Sequence, residues 1–440
     1  MNLFKKTKAG AVRTSKEAAT GRFAGPIAGL KYESPSCSGF TSDRGEFSYR
    51  QGEAVTFLIG DLVLGTTVGA SNLNLSHLVH RVAGKIDKLH DPIVTNLARF
   101  VQSLDQDGNV EDGVTISPIV HNMIRRVVIN FDQVESITAV KKEPGAAAPS
   151  FEDDPVIRDL FEKLNMTPDV FTDNTPRTLR SAAAARNELR RNMRGIIKMT
   201  DVKIPLRDGS FVYADVFRPA ADGQHPVVMN KGVYGKSFHH ECICCDADAL
   251  AKEELEDRHF SGGEDGLQYE NHESVDTATW VPNGYVCIRV DARGVCRSPG
   301  VQSPLSVQEA EDYYDAIEWA GTQPWSNGSV GLWGMSYLAM TQHNVESLRP
   351  PHLKAMIAQG TDSDIYNEAI YGGGIFSEGF WNWWSNIWTK DNYCEVKRET
   401  DWKTQLRATP FNDPTAYGPE GSVFISPEIE RATTPVWIVG

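Results

Sequence analysis

Ser329-Val330-Gly331-Leu332-Trp333-Gly334-Met335-Ser336-Tyr337-Leu338-Ala339 is the stretch whose reading decides the fold. Ser329–Trp333 reads as a short buried strand, and Ser336–Leu348 as a helix. A Gly-x-Ser turn joins them. In a nucleophile elbow this turn is so tight that small residues must flank the serine. The strained turn lifts the hydroxyl clear of the sheet. It also puts the next backbone N–H at a helix start, where it can stabilise an oxyanion. Gly334 and Ser336 fit this pattern, whereas Leu338 stands where a second glycine is usual. The bland alternative is a serine N-cap on an ordinary helix. The strand–turn–helix context favours the hydrolase reading.

Outward from the elbow the texture alternates. Thr200–Pro205 and Phe211–Phe217 read as strands joined by an Arg207-Asp208-Gly209 hairpin turn. Val227–Lys231, Tyr285–Asp291, Leu353–Gln359 and Pro435–Val439 read as further strands, and Gln308–Ala320 as a helix. Strands alternating with helices predict an α/β domain over residues 196–440, with a parallel-rich sheet covered on both faces.

Several ordered segments of this region resemble the CocE/NonD hydrolases, the family of cocaine esterase, α-amino-acid ester hydrolases and bacterial Xaa-Pro dipeptidyl-peptidases. They are Arg207-Asp208-Gly209 with Ala214-Asp215-Val216-Phe217-Arg218-Pro219, and Tyr234-Gly235-Lys236 after the third strand. Next come the loop from Asp291-Ala292-Arg293-Gly294 to Gly300 and the helix from Glu309 to Trp319. Gln323-Pro324-Trp325-Ser326-Asn327-Gly328 then leads into Gly-x-Ser-Tyr-Leu. The family also has Tyr after the serine and lacks the second glycine at the position of Leu338. Cys296 and Ala339 stand where it commonly has glycine. The resemblance covers about residues 198–440. It implies an α/β-hydrolase fold with a helical cap at about 360–433, Ser336 as nucleophile, and an oxyanion hole made by the Tyr234 hydroxyl and the Tyr337 backbone N–H. It implies no cofactor and a small ester or Xaa-Pro peptide substrate. For Tyr234, a buried tyrosine packing the sheet edge is the alternative.

A serine nucleophile needs a base and an orienting carboxylate, in the chain order Ser, acid, His. After Ser336 the histidines are His343 and His352. His343 lies two turns along the nucleophile's own helix and is expected to pack. His352 opens a strand at the wrong end of the sheet. The family's acid follows the strand corresponding to Pro435–Val439, so the expectation is a catalytic domain truncated before its Asp and His. A catalytically incomplete binding or surface-interaction protein is the rival reading.

Five of the ten tryptophans, Trp381, Trp383, Trp384, Trp388 and Trp402, fall in the expected cap. The first four are candidates for an apolar acyl pocket; the alternative is the cap's own core. Asp362, Asp364, Glu368 and Glu378 could anchor a substrate amine. His239-His240-Glu241-Cys242 with Cys244-Cys245 fits zinc spacing poorly, and no metal is expected.

The first half reads differently. Residues 1–22 are basic and expected to be disordered. Residues 23–118 form a small β-rich module with strand-like runs at Ala28–Tyr32, Glu46–Tyr49 and Ala54–Leu64. Asp91-Pro92 opens an amphipathic helix. It runs into Asp105-Gln106-Asp107-Gly108-Asn109, where Val110 and Ile116 break the EF-hand pattern, so a polar turn is expected. Residues 119–195 read as a linker, centred on 141–155, and a charged helical segment. In the latter, Arg177, Arg180, Arg186, Arg190, Arg191 and Arg194 suit a solvated face.

The 440 residues carry 44 Lys+Arg against 58 Asp+Glu, a net charge of −14, which argues against a nucleic-acid partner. No apolar run approaches the roughly 18 residues of a membrane span. Seven cysteines and no apolar leader segment predict reduced thiols and a cytoplasmic chain, with secretion as the alternative. Oligomeric state is not legible.

Overall fold

The structure, a computed structural model, describes residues 18–82, 84–85, 89–133, 150–236, 273–362, 364–390, 401–417 and 433–439. Positions 385–390, 402 and 438–439 are described by backbone alone. The chain divides into two units, Met1–Ala182 and Ala183–Gly440.

The first unit holds short strands β1 (Ala18–Phe23), β2 (Ile27–Ala28), β3 (Lys31–Glu33), β4 (Ser38–Phe40), β5 (Glu46–Arg50), β6 (Ala54–Ile59), β7 (Leu62–Val68), β8 (Asn72–Leu73) and β9 (Val114–Thr115). They pair as β5-β1-β8, β4-β3-β6-β7 and β2-β9. Buried Phe23, Phe47 and Phe57 form the centre, with edge-to-face contacts of 4.9 and 5.2 Å onto Phe57. Helix α1 (Pro92–Ser103) starts where the sequence predicts, capped by the Asp91 carboxylate accepting from Ile93 N–H. Short helices α2 (Pro118–Met123) and α3 (Pro155–Met166) complete the unit.

Four sequence expectations change here. Residues 18–22 belong to a strand because β1 pairs with β5 from Ala18 to Arg22. The Ala54–Leu64 run is a hairpin, bent at Gly60, whose φ is +59°. The module extends past residue 118: Arg180 N–H donates to Ser103 Oγ at 2.7 Å, and Thr172 N–H to Gln106 O at 2.9 Å. The arginine-rich segment is helical only over α4 (Ala182–Met193), with Arg186, Arg190 and Arg191 buried, so it is no solvated face. Arg191 pairs with Glu188 at 2.9 Å and Arg190 bonds Asn187 at 2.7 Å. Most of the 141–155 linker lies outside the described residues.

The second unit is built on a seven-stranded sheet. Its strands are β10 (Ile196–Pro205), β11 (Phe211–Pro219), β12 (His225–Gly232), β13 (Val286–Asp291), β14 (Ser326–Met335), β15 (Leu353–Gln359) and β16 (Val436–Val439). The spatial order is β10-β11-β13-β12-β14-β15-β16. The β10–β11 hairpin joins antiparallel, and β13 through β16 run parallel. Val286, Ile288 and Val290 of β13 face one apolar layer, with Tyr313, Ala316 and Ile317 of α6 (Val307–Gly321). Cys287 faces the opposite layer, with Val281, which follows the short α5 (Thr277–Trp280). Both faces are therefore covered, as the nearly continuous apolar strands require. Helix α7 (Tyr337–Glu346) follows β14. Between β15 and β16 lie α8 (Glu378–Lys390), α9 (Trp402–Ala408) and α10 (Pro414–Tyr417).

This is an α/β-hydrolase sheet. β12 leads to its neighbour β13 on one side, while β14, on its other side, leads away to β15. The connections diverge between β12 and β14, which makes the crevice at their carboxyl ends the expected ligand site.

Candidate active site

Tyr234 follows β12 and Ser336 follows β14, so the topology brings both to that crevice. Ser336 has φ 52° and ψ −120°, outside the regions comfortable for a residue with a Cβ. Such strain persists only where surroundings hold it. Here Ser336 N–H donates to Gln359 O at 2.9 Å, tying the turn to the end of β15. Ser336 makes no side-chain cap of its helix, so the N-cap alternative is not what the hydroxyl does.

The missing second glycine has a packing explanation. A Cβ on Gly334 would lie 2.5 Å from Leu338 Cβ and 2.6 Å from Leu338 O, so glycine is required there. A Cβ on Gly232 would lie 2.1 Å from Leu338 Cδ2. Glycine in β12 thus makes the room that buried Leu338 occupies.

The Tyr234 phenol is buried, hydrogen-bonds with the Ser336 side chain, and accepts from Trp384 Nε1 at 3.4 Å. Burial pushes its pKa up, and the charge of Glu273 adds to this. The phenol therefore remains protonated and able to donate. Gly235, at φ +83°, turns the chain, and Lys236 N–H donates to Asp291 Oδ1 at 2.6 Å. Lys236 Nζ reaches Asp215 at 2.7 Å and Asp201 at 2.8 Å, anchoring the loop that carries Tyr234.

Tyr337 opens α7, so its N–H points out at the positive end of the helix. Its side chain runs into the interior, where the phenol donates to Glu309 Oε2 at 2.6 Å. Its ring meets Tyr234 at 6.0 Å and Trp384 at 5.9 Å between centroids.

Of the candidate pocket tryptophans, Trp384 reaches Tyr234 and is buried. Trp381 is core: it packs edge-on to Trp384 at 5.2 Å and donates to Ala369 O at 3.1 Å. Trp383 is 55% exposed, and the Trp388 side chain lies outside the described ones, as does that of Trp402. Glu378 is occupied by Lys403 and Arg407, which hold its carboxyl down at about 2. Asp364 receives the Asn367 amide at 2.6 Å. Asp362, just past β15, is pushed up by burial and then by Glu368.

His343 sits about 10 Å along the helix axis from Ser336; burial lowers its pKa. His352 lies at the opposite end of the strands, about 20 Å along β15 from Gln359, and its Nδ1 pairs with Glu318 at 2.8 Å. The histidine- and cysteine-rich segment 239–245 lies outside the described residues. Cys37 and Cys287 form no disulfide, but Cys296 is disulfide-bonded, against the expectation of reduced thiols throughout. Cys296 has φ +52°, and its Sγ would lie 3.1 Å from a Cβ on Gly235, the residue after Tyr234. Sequence reasoning missed Glu309, Lys231 and Glu273. All three lie far from Ser336 along the chain; Lys231 and Glu309 fell within segments already singled out, as a strand end and a helix start, and Glu273 did not.

A strained serine thus stands at the end of a central parallel strand, bonded to a buried phenol and followed by a helix-start amide. Residues 208–425 match the family model described as X-Pro dipeptidyl-peptidase (S15 family). Cocaine esterase of Rhodococcus sp. (strain MB1 Bresler) is 29% identical over 192 residues, 43% of this chain and 28% of that protein. A CocE/NonD family hydrolase structure from Staphylococcus aureus is 34% identical, covering 55% of this chain and 40% of that one, with a TM-score of 0.42. An α-amino acid ester hydrolase structure is 21% identical over 48% of this chain and 33% of that one, with a TM-score of 0.34. The matched region of the second unit is thus similar to the CocE/NonD hydrolases in sequence. The chain spans 28% of the length of the curated relative it matches.

Proposed function

We propose that the second unit carries the nucleophile and oxyanion hole of a serine hydrolase that cleaves ester or amide bonds through an acyl-enzyme. Ser336 Oγ attacks the substrate carbonyl carbon, and the carbonyl oxygen takes up negative charge between the Tyr234 hydroxyl and the Tyr337 N–H. The observation that carries this reading is the Ser336 turn: strained backbone at the end of β14, with its side chain bonded to the Tyr234 phenol. Trp384 beside that phenol suits an apolar acyl group. The base that takes the Ser336 proton is not His352, which is engaged with Glu318 at the far end of the strands.

Labelling the 440-residue chain with a fluorophosphonate tests this, with Ser336→Ala as control and circular dichroism to confirm folding. Labelling of wild type that vanishes in Ser336→Ala supports the reading. Equal labelling of both, or none of a folded wild type, overturns it for this chain. The rival reading, a binding or surface-interaction protein, has no observation here that favours it.

A further inference from the structure

Behind the elbow lies a buried cluster that the reaction itself does not use. Glu309 Oε2 accepts from Tyr337 Oη at 2.6 Å and from Leu305 N–H at 2.7 Å, and Leu305 N–H also lies 3.2 Å from Tyr337 Oη. The other carboxylate oxygen faces Lys231 Nζ at 3.7 Å, and Lys231 Nζ donates to Glu309 O at 3.4 Å. The Lys231 side chain is fully buried and that of Glu309 nearly so.

A buried ion pair is weak evidence for stability, because two charges must be stripped of water. Its position is what matters here. Lys231 lies on β12, three residues before Tyr234, and Thr341 of α7 donates to Lys231 O at 3.2 Å. Glu309 lies in the first turn of α6, where Ser306 Oγ caps its N–H at 3.1 Å. Leu305 has φ +46°, a conformation rare for leucine, and its N–H is held by the same carboxylate. One carboxylate therefore ties together the strand leading to one oxyanion donor and the residue that carries the other.

We propose that Glu309 is a positioning residue, which clamps the Tyr337 phenol against buried Lys231 and thereby sets the direction of the Tyr337 N–H. Tyr337 is held at its phenol tip by Glu309 and flanked by the Tyr234 and Trp384 rings. With the tip released, the first turn of α7 can rotate and carry the amide off line. This inference rests on the proposed oxyanion hole, so its test includes a readout that needs no chemistry.

The test uses the full chain and four variants: Glu309→Gln with Lys231→Met, Tyr337→Phe, Glu309→Leu with Lys231→Met, and that last pair combined with Tyr337→Phe. Removing both charges together avoids a lone buried ammonium. Amide hydrogen exchange is followed in the peptide over residues 333–341, alongside the fluorophosphonate labelling rate and the melting temperature. Releasing the clamp is expected to raise elbow exchange about tenfold and cut labelling about tenfold to a hundredfold, as a misplaced donor would. Glu309→Gln with Lys231→Met, in which the glutamine still accepts from the phenol and no buried ammonium is left alone, is expected to keep most of both. Adding Tyr337→Phe to the charge-free pair is expected to change neither further. Unchanged elbow exchange in the folded charge-free pair overturns the inference, as does a loss of labelling no larger than any fall in melting temperature explains. A wild type that shows no Ser336-dependent labelling sinks the hydrolase reading instead, and exchange then decides the positioning role alone.

Discussion

At Tyr234 two effects act on one phenol. Burial raises its pKa, and the Glu273 carboxylate raises it further, so it donates across the whole working pH range. Tyr234→Phe removes the donor, and with it the acceptor of the Trp384 N–H, while leaving the ring that packs against Tyr337. The labelling rate of Ser336 is expected to fall about a hundredfold, the order found for loss of one oxyanion donor. The melting temperature should stay close to wild type, because the phenol's surroundings are mostly aromatic. A rate unchanged within twofold would remove Tyr234 from the oxyanion hole and return it to the packing role that its position on the sheet also allowed.

At the scale of elements, the elbow joins β14 and α7 at a distance that only glycine at 334 permits. Gly334→Ala would drive a methyl group into the Leu338 Cβ and carbonyl, backbone-fixed atoms that cannot swing aside. Overpacking of this kind costs about 1–3 kcal/mol. Urea unfolding of the second unit should show a loss at the upper end of that range, with Ser336 labelling falling as well. The same geometry explains why the Gly-x-Ser pattern here lacks its second glycine. Leu338 is accommodated by Gly232 on the neighbouring strand, a compensation 106 positions away in sequence and in contact only after folding.

At the scale of the whole molecule, stability of the first unit should depend on pH through Asp105. Its carboxyl is buried at the end of α1, accepts from Thr115 N–H at 2.8 Å, and faces Asp107. Burial first, with Asp107 adding to it, lifts its pKa to about 7. A raised carboxyl makes the folded state bind a proton that the unfolded state has already released. The Asp105 contribution is therefore complete below the unfolded pKa near 4 and is lost as pH rises through about 7. Urea melts of the full chain at pH 5 and pH 8 are expected to show wild type losing stability relative to Asp105→Asn at the higher pH. A difference between the two proteins that does not move with pH would show that Asp105 is ionised throughout.

Much of the second unit was legible because its signals are local. The Leu353–Gln359 strand begins and ends where predicted, and the other strands differ by a few residues at their ends. A strand, a Gly-x-Ser turn and a helix are adjacent in sequence, so backbone sterics alone specify the elbow. The alternation of strands and helices likewise implied a covered, largely parallel sheet. The first unit was harder to read. Its strands are two to seven residues long, and pairing rather than composition decides them. The run Ala54–Leu64 could not reveal its bend at Gly60 to a test that looks only for β-branched residues. The arginines of α4 scored as solvent-facing by composition, yet Arg186, Arg190 and Arg191 are buried with neighbouring polar partners.

What the sequence determined by itself was the class of fold and the strand–turn–helix that carries Ser336, since both depend on neighbours along the chain. What only the tertiary structure decided was the company that Ser336 keeps. Tyr234, Glu309, Lys231 and Trp384 reach the elbow because strand order β13-β12-β14 folds the chain back across itself. That juxtaposition depends on long-range packing, and neither residue type nor spacing encodes it locally.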